Sequence, residues 1–141
     1  INETWTGRIW RLNPDSGEMS VLIEGLPGYP DNLEFDSATG LIWAAMPSLR
    51  SPDLEALHAR PFVKRLIWRW LQIAGLPPLP DRPAMAIAVD LDGRAVYGLT
   101  GPAEAQDGTT TALVWNGELW MAGLDRDRIT VSAAPGDNRL D

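Results

Sequence analysis

Apolar and polar positions alternate over residues 8–12 (RIWRL), pause at Asn13-Pro14-Asp15-Ser16-Gly17, and resume over 18–23 (EMSVLI). Period two marks a strand with one covered face, and N-P-D-x-G is turn chemistry, so this stretch predicts a β-hairpin. The first residues, Ile1-Asn2-Glu3-Thr4-Trp5, already read as a strand. A second turn at 25–31 holds two Pro and two Gly, and short strands follow at 32–36 and 41–46 around a turn at 37–40. Residues 26–45 (LPGYPDNLEFDSATGLIWAA) thus form a turn-and-strand unit. Strands return at 85–90, 95–99, 109–115, 118–123 and 129–133, with Asn116-Gly117 as a tight hairpin turn.

Residues 47–83 break this pattern. Ser51-Pro52-Asp53 is a helix start, with Ser as N-cap and Pro at the first helical position. Pro61 interrupts, and a helix restarts over 62–74. There Val63, Leu66, Ile67, Trp70, Leu71 and Ala74 make one stripe, with Lys64, Arg65, Arg69 and Gln72 on the other side. Gly75 and the LPPLP run end it. The stripe reads first as packing on the strands or as a lid; its basic residues and Trp68 also fit a membrane-facing surface.

Gly40-Leu41-Ile42-Trp43-Ala44-Ala45 resembles Gly117-Glu118-Leu119-Trp120-Met121-Ala122, 77 positions later. A four-stranded propeller blade takes roughly 40–50 residues, and the helical insertion fills much of the remainder. The fold class predicted is all-β: about half of a six-bladed β-propeller of four-stranded antiparallel blades, with a helical insertion at about 51–75. Its parts are a partial blade at 1–25, a blade with the insertion at 26–100, and a last blade at 109–134. The chain is expected to begin in mid-domain, with upstream blades of the same protein missing. Half a propeller leaves strand edges and a blade face open, which predicts poor stability or association.

Composition narrows the chemistry. The 141 residues are 45% hydrophobic, enough for a packed core. A net charge of −7 argues against nucleic acid as a partner. Cysteine is absent, which excludes disulfides, thiolate catalysis and Cys-based zinc sites. One histidine, His58, excludes a multi-histidine metal site, and its place in the insertion reads more simply as a surface helix residue.

Several stretches resemble strictosidine synthase-like proteins, within the wider SMP-30/gluconolactonase and paraoxonase superfamily. Leu26-Pro27-Gly28-Tyr29-Pro30-Asp31-Asn32 followed by a G-x-I-W strand is the most specific. Glu3-Thr4 before Arg8-Ile9-Trp10-Arg11, Pro61-Phe62-Val63-Lys64-Arg65-Leu66, and residues 117–124 (GELWMAGL) are similar to three further family patterns, in the same order. The resemblance implies a C-terminal half-propeller whose site lies at one mouth of a central channel. It also implies a bound calcium ion and lactone or ester hydrolysis, as in the paraoxonase and SMP-30 branches, or amine–aldehyde condensation without metal, as in the plant synthases.

On that resemblance the metal ligands supplied by this chain are Asp31, Asn32 and Glu3, and the partner is a small-molecule substrate. The ion is Ca2+, because Asp and Asn offer hard oxygens. The plainer readings are turn chemistry for Asp31-Asn32 and a salt bridge to Arg8 for Glu3. Thr109-Thr110-Thr111 stands where the synthases keep a catalytic Glu; Glu104 and Asp107 lie nearby in a loop. This departure disfavours condensation. The leading function is a calcium-dependent hydrolase when complete, the fragment alone being inactive. The alternative is a non-catalytic binding propeller that contacts membrane through the 62–74 helix. A periplasmic or membrane-associated location is favoured over a cytoplasmic one. Asn2-Glu3-Thr4 matches a glycosylation sequon, a match common by chance.

Overall fold

In the computed structural model, residues 1–58, 60–75, 85–101, 108–124 and 127–136 are described, the side chains of Leu54 and His58 excepted. Among the described residues ten short strands form three antiparallel sheets. The first holds β1 (Asn2–Glu3), β2 (Arg8–Leu12) and β3 (Met19–Ile23) in that order. The second holds β4 (Leu33–Asp36), β5 (Leu41–Ala45), β6 (Met85–Val89) and β7 (Ala95–Thr100). The third holds β8 (Thr109–Trp115), β9 (Glu118–Gly123) and β10 (Ile129–Ala133). Every pairing is antiparallel between chain neighbours, as in propeller blades, and the sheets do not close into a barrel.

The N-terminal strand is shorter than its sequence predicts. After Glu3 the chain makes a 3-10 turn over Thr4–Thr6, ended by Gly7 in the left-handed region, φ 64°. The other strands fall within a residue or two of the periodicity.

The middle sheet explains why LIWAAM and MAIAV are apolar without a break. Successive strand residues point to opposite faces, and both faces of this sheet are covered. Leu41, Trp43, Ala45, Ala86, Ala88 and Tyr97 pack with Ala112 and Leu119 of the third sheet. Ala44, Met46, Met85, Ile87 and Val89 pack with Ile9 and Leu26 on the side of the first sheet. The register puts Trp43 opposite Ala88 and Ala44 opposite Ile87, so each face is fixed by pairing. Small alanines between large residues let the sheets approach closely.

The insertion between β5 and β6 contains α1 (Pro52–His58) and α2 (Pro61–Ala74). Pro61, read from sequence as an interruption, is the first residue of α2, where its missing N–H costs nothing. Arg50 donates to both Glu55 carboxylate oxygens, at 2.7 and 3.0 Å, and so ties the exit from β5 to α1. The apolar stripe of α2 is not buried: none of its residues is. Its apolar arc spans about half the helix circumference; of that arc Ile67 and Leu71 turn toward Trp5 and Leu57, and Val63 toward Leu57.

Candidate functional site

The segment Pro27–Asn32 connects all three sheets, and each residue type has a physical reason. Gly28 pairs with Leu49, and a Cβ there would lie 2.7 Å from the Ser48 carbonyl and 2.7 Å from Met85 Cε. Tyr29 is 3% exposed. Its N–H donates to the Ser48 carbonyl at 3.0 Å, and its hydroxyl accepts the Ser51 N–H at 3.1 Å, at the start of the insertion. Trp5 meets the Tyr29 ring edge-on at 5.6 Å, and Lys64 of α2 lies over Trp5 at 5.0 Å. Pro30 is fully buried.

Asp31 and Asn32 are held by their main chain. The Asp31 N–H donates to the Ala45 carbonyl at 2.8 Å, and the Ala45 N–H donates to the Asn32 carbonyl at 3.2 Å. The Asn32 N–H donates to the Thr110 carbonyl at 3.2 Å, and Asn32 Nδ2 donates to the same oxygen at 2.8 Å and to Thr111 Oγ1 at 3.3 Å. Thr110 sits at a register shift: Thr109 pairs with Gly123 and Thr111 with Ala122. Such a bulge frees a carbonyl from the ladder, and Asn32 takes it. The Asp31 carboxylate and Asn32 Oδ1 have no hydrogen-bond or ion-pair partner among the described residues.

The first sheet closes the other side. Asn2 Nδ2 donates to the Asp31 carbonyl at 2.6 Å, to the Pro30 carbonyl at 3.2 Å and to Thr4 Oγ1 at 3.4 Å. Sequence reading passed over Asn2 except as a sequon, because nothing local predicts a contact spanning 29 positions. Its amide nitrogen is already committed to these bonds, so a glycan there would break them.

The structure does not bring Glu3 to Asp31. Neighbouring residues of β1 point to opposite faces, and Glu3 shares its face with Arg8. Glu3 Oε2 accepts the Trp10 indole N–H at 2.8 Å and lies 3.8 Å from Arg8, which also pairs with Glu24 at 3.1 Å. The Trp10 bond, with Thr6 and Arg8 after it, holds the Glu3 carboxyl below the ordinary range. Among the described residues no group of three or more His, Asp or Glu could hold a metal. Thr109 is fully buried, its Oγ1 without a partner among the described residues, while Thr110 and Thr111 border the Asn32 contact. Glu104, Asp107 and the His58 side chain lie outside the described residues. No helix among the described residues is long and apolar enough to cross a membrane.

No protein-family model matches the chain. It is 32% identical over 109 residues to the adipocyte plasma membrane-associated protein of Danio rerio, covering 72% of this chain and 26% of that protein. It is 33% identical over 94 residues to strictosidine synthase-like 6 of Arabidopsis thaliana, covering 67% of this chain and 25% of that one. The adipocyte plasma membrane-associated protein of Bos taurus is 37% identical over 90 residues, covering 61% and 22%. The chain spans about a quarter of the length of the first two of these relatives. It belongs to the propeller family of the strictosidine synthase-like and adipocyte plasma membrane-associated proteins.

Proposed function

We propose that the parent protein is a calcium-dependent hydrolase of lactones or esters, and that this chain supplies Asp31 and Asn32 to its ion, with Glu3 as a further ligand. The observation that carries the reading is the pairing of a rigid main chain with free side-chain oxygens. Residues 31 and 32 are fixed by bonds to Ala45, Thr110 and Asn2, while the Asp31 carboxylate and Asn32 Oδ1 remain unpartnered among the described residues. Hard, uncharged and charged oxygens on a held turn suit calcium, which takes six to eight such donors. Two donors are a fraction of that set, so the remainder comes from other blades. Glu3 joins only by leaving Trp10 and Arg8, which makes it the weakest of the three ligands. A bound ion would polarise a substrate carbonyl. Asn32 would keep its Oδ1 oriented because its Nδ2 is occupied by Thr110.

The test is calcium titration calorimetry and a panel of lactones and aryl esters on the full-length protein, with Asp31→Ala alongside. Calcium binding with hydrolysis, both weakened at least tenfold in Asp31→Ala, is the expected result. A full-length protein that binds no calcium and turns over none of the panel refutes the reading.

A second reading, a non-catalytic binding propeller, is supported by the engagement of Glu3 with Trp10 and Arg8 and by the lack of a carboxylate over Thr109–Thr111. The relatives' name, with its plasma membrane association, supports a membrane-associated parent protein under either reading. Tight calcium binding without turnover of any ester would favour the second reading over the first.

A further inference from the structure

Helix α2 carries two apolar flanks, and the fold treats them differently. Ile67 and Leu71 border the hollow lined by Trp5 and Leu57, Val63 borders one lined by Leu57, Asp53 and Arg60, and Val63 and Ile67 are each 38% exposed. Phe62, Leu66, Trp70 and Ile73 recur at spacings of four, four and three, which aligns them on one line of a helix. They are 74, 61, 64 and 88% exposed. Arg65 and Arg69 border this line, and neither is in a salt bridge among the described residues. In a chain of net charge −7, α2 has three basic residues and no acidic one.

These features select the occupant. The stripe from Phe62 to Ile73 is about 17 Å long, and a helix is about 10 Å wide, so it offers roughly 200 Å². A stable protein interface needs about 800 Å² from each partner, and a second copy in an α2-to-α2 contact would set Arg65 and Arg69 against their own counterparts. A bilayer surface requires neither that area nor a matching shape. It takes an apolar line into the boundary of headgroups and acyl chains and meets flanking cations with phosphates.

We propose that α2 docks the protein on an anionic lipid surface, with Phe62, Leu66, Trp70 and Ile73 in the acyl boundary and Arg65 and Arg69 at the headgroups. Through Lys64, Trp5 and Tyr29 the helix is joined to the turn that carries Asp31, so docking holds that end of the sheets toward the bilayer. The inference is independent of whether the protein is a hydrolase.

Co-sedimentation of the chain with vesicles tests it, comparing pure phosphatidylcholine with vesicles about one third phosphatidylserine. Expected is at least tenfold stronger partition to the anionic vesicles, weakening as salt is raised. Leu66→Ser with Trp70→Ser lowers that partition at least tenfold. These side chains are exposed, and unchanged circular dichroism verifies that the fold is kept. Arg65→Gln with Arg69→Gln lowers it about tenfold or more on anionic vesicles and leaves the weak phosphatidylcholine binding unchanged. Equal partition to both vesicle types, no partition at all, or indifference to both pairs of substitutions overturns the proposal. So does pelleting without vesicles that Leu66→Ser/Trp70→Ser abolishes, because a second copy would then be what covers the stripe.

Discussion

Replacing Gly28 by alanine separates steric from conformational reasons for glycine in the turn that carries Asp31. Gly28 does not occupy the left-handed region, so alanine meets no dihedral penalty there. It meets atoms instead: the added Cβ would lie 2.7 Å from the Ser48 carbonyl oxygen, 2.7 Å from Met85 Cε and 3.0 Å from Met46 Cβ. Met85 Cε ends a flexible side chain, but Met85 is 4% exposed and Met46 is 1% exposed, so neither has open space to enter. The Ser48 oxygen is main chain and is anchored by the Tyr29 N–H at 3.0 Å. Relief therefore requires the turn itself to shift, at a cost of about 1–3 kcal/mol, the usual range for overpacking. That corresponds to a fall of roughly 3–10 °C in Tm for a chain of this size. Two controls give the scale. Gly25 has φ 73° and open space around its Cβ, so Gly25→Ala costs about 1 kcal/mol from conformation alone. Gly136 has open space and an ordinary φ, so Gly136→Ala stays within about 0.5 kcal/mol of the parent. Denaturant titration followed by Trp fluorescence, at one dilute protein concentration, ranks the three. If Gly28→Ala were no more destabilising than Gly136→Ala, the packing of this turn against Ser48 and Met85 would be wrong.

Asn32→Asp removes the Nδ2 donor and sets a carboxylate against the Thr110 carbonyl; without calcium it should destabilise the chain by about 1–3 kcal/mol, and an unchanged denaturation midpoint would remove Asn32 as the tie between the second and third sheets. Trp43→Ala should cost about 3–5 kcal/mol, because the indole is 2% exposed and stacks on Tyr97 at 6.3 Å; a loss below about 1 kcal/mol in the same titration would contradict a packed interface there. The Glu3 carboxyl is held below its ordinary value of 4.5, chiefly by the Trp10 N–H, so it stabilises the fold above that pH and the stabilisation is lost as pH falls through the lower folded value. The stability–pH curve of Glu3→Gln should accordingly be flatter than that of the parent below about pH 4.5, and parallel curves would refute the Trp10–Glu3 bond.

Much of this fold is written in local pattern. Alternation and turn chemistry place β2 through β10, and the unbroken apolar runs at β5 and β6 reflect a sheet covered on both faces. The site is legible only in part. Asp31-Asn32 stands out as turn chemistry, and the family resemblance makes it a proposed ligand pair. The atoms that hold it are the Thr110 carbonyl, freed by a bulge, and the Asn2 amide on a two-residue strand. Neither leaves a periodic signal, since a bulge is one residue long and β1 is too short to show alternation. Helix α2 shows a related limit: spacing places its apolar arc, but not which half of that arc the body covers. Covering was the natural expectation for the stripe, and it fails for Leu66 and Trp70, which stand exposed with Phe62 and Ile73 beside them, because Trp5 and Leu57 lie on the other flank.

The G-x-[LI]-W repeat has a structural consequence that its two copies reveal together. Trp43 and Trp120 both lie on the second strand of their sheets, and both have a buried indole N–H without a partner among the described residues. Trp43 is covered by Ala112 and Leu119 of the next sheet. Trp120 points to the corresponding outer face of the third sheet, beside Leu113, Val131 and Trp115, whose ring meets it edge-on at 5.9 Å. There it borders an open hollow of about 300 Å3 with Thr111, Ala122 and Ile129. Equivalent residues built for equivalent packing thus have opposite surroundings, and Trp115, Ile129 and Val131 are 58, 60 and 42% exposed. A continuous apolar sheet face in water associates, with itself when nothing else is offered. The chain by itself should therefore show concentration-dependent association in sedimentation velocity. Trp120→Ser with Val131→Ser should shift it toward monomer, because these side chains form the face rather than the core. Leu66→Ser/Trp70→Ser, on α2, should leave that association unchanged. A chain that stays monomeric at high concentration, or association indifferent to Trp120 and Val131, would mean that this face is not what the repeat makes it.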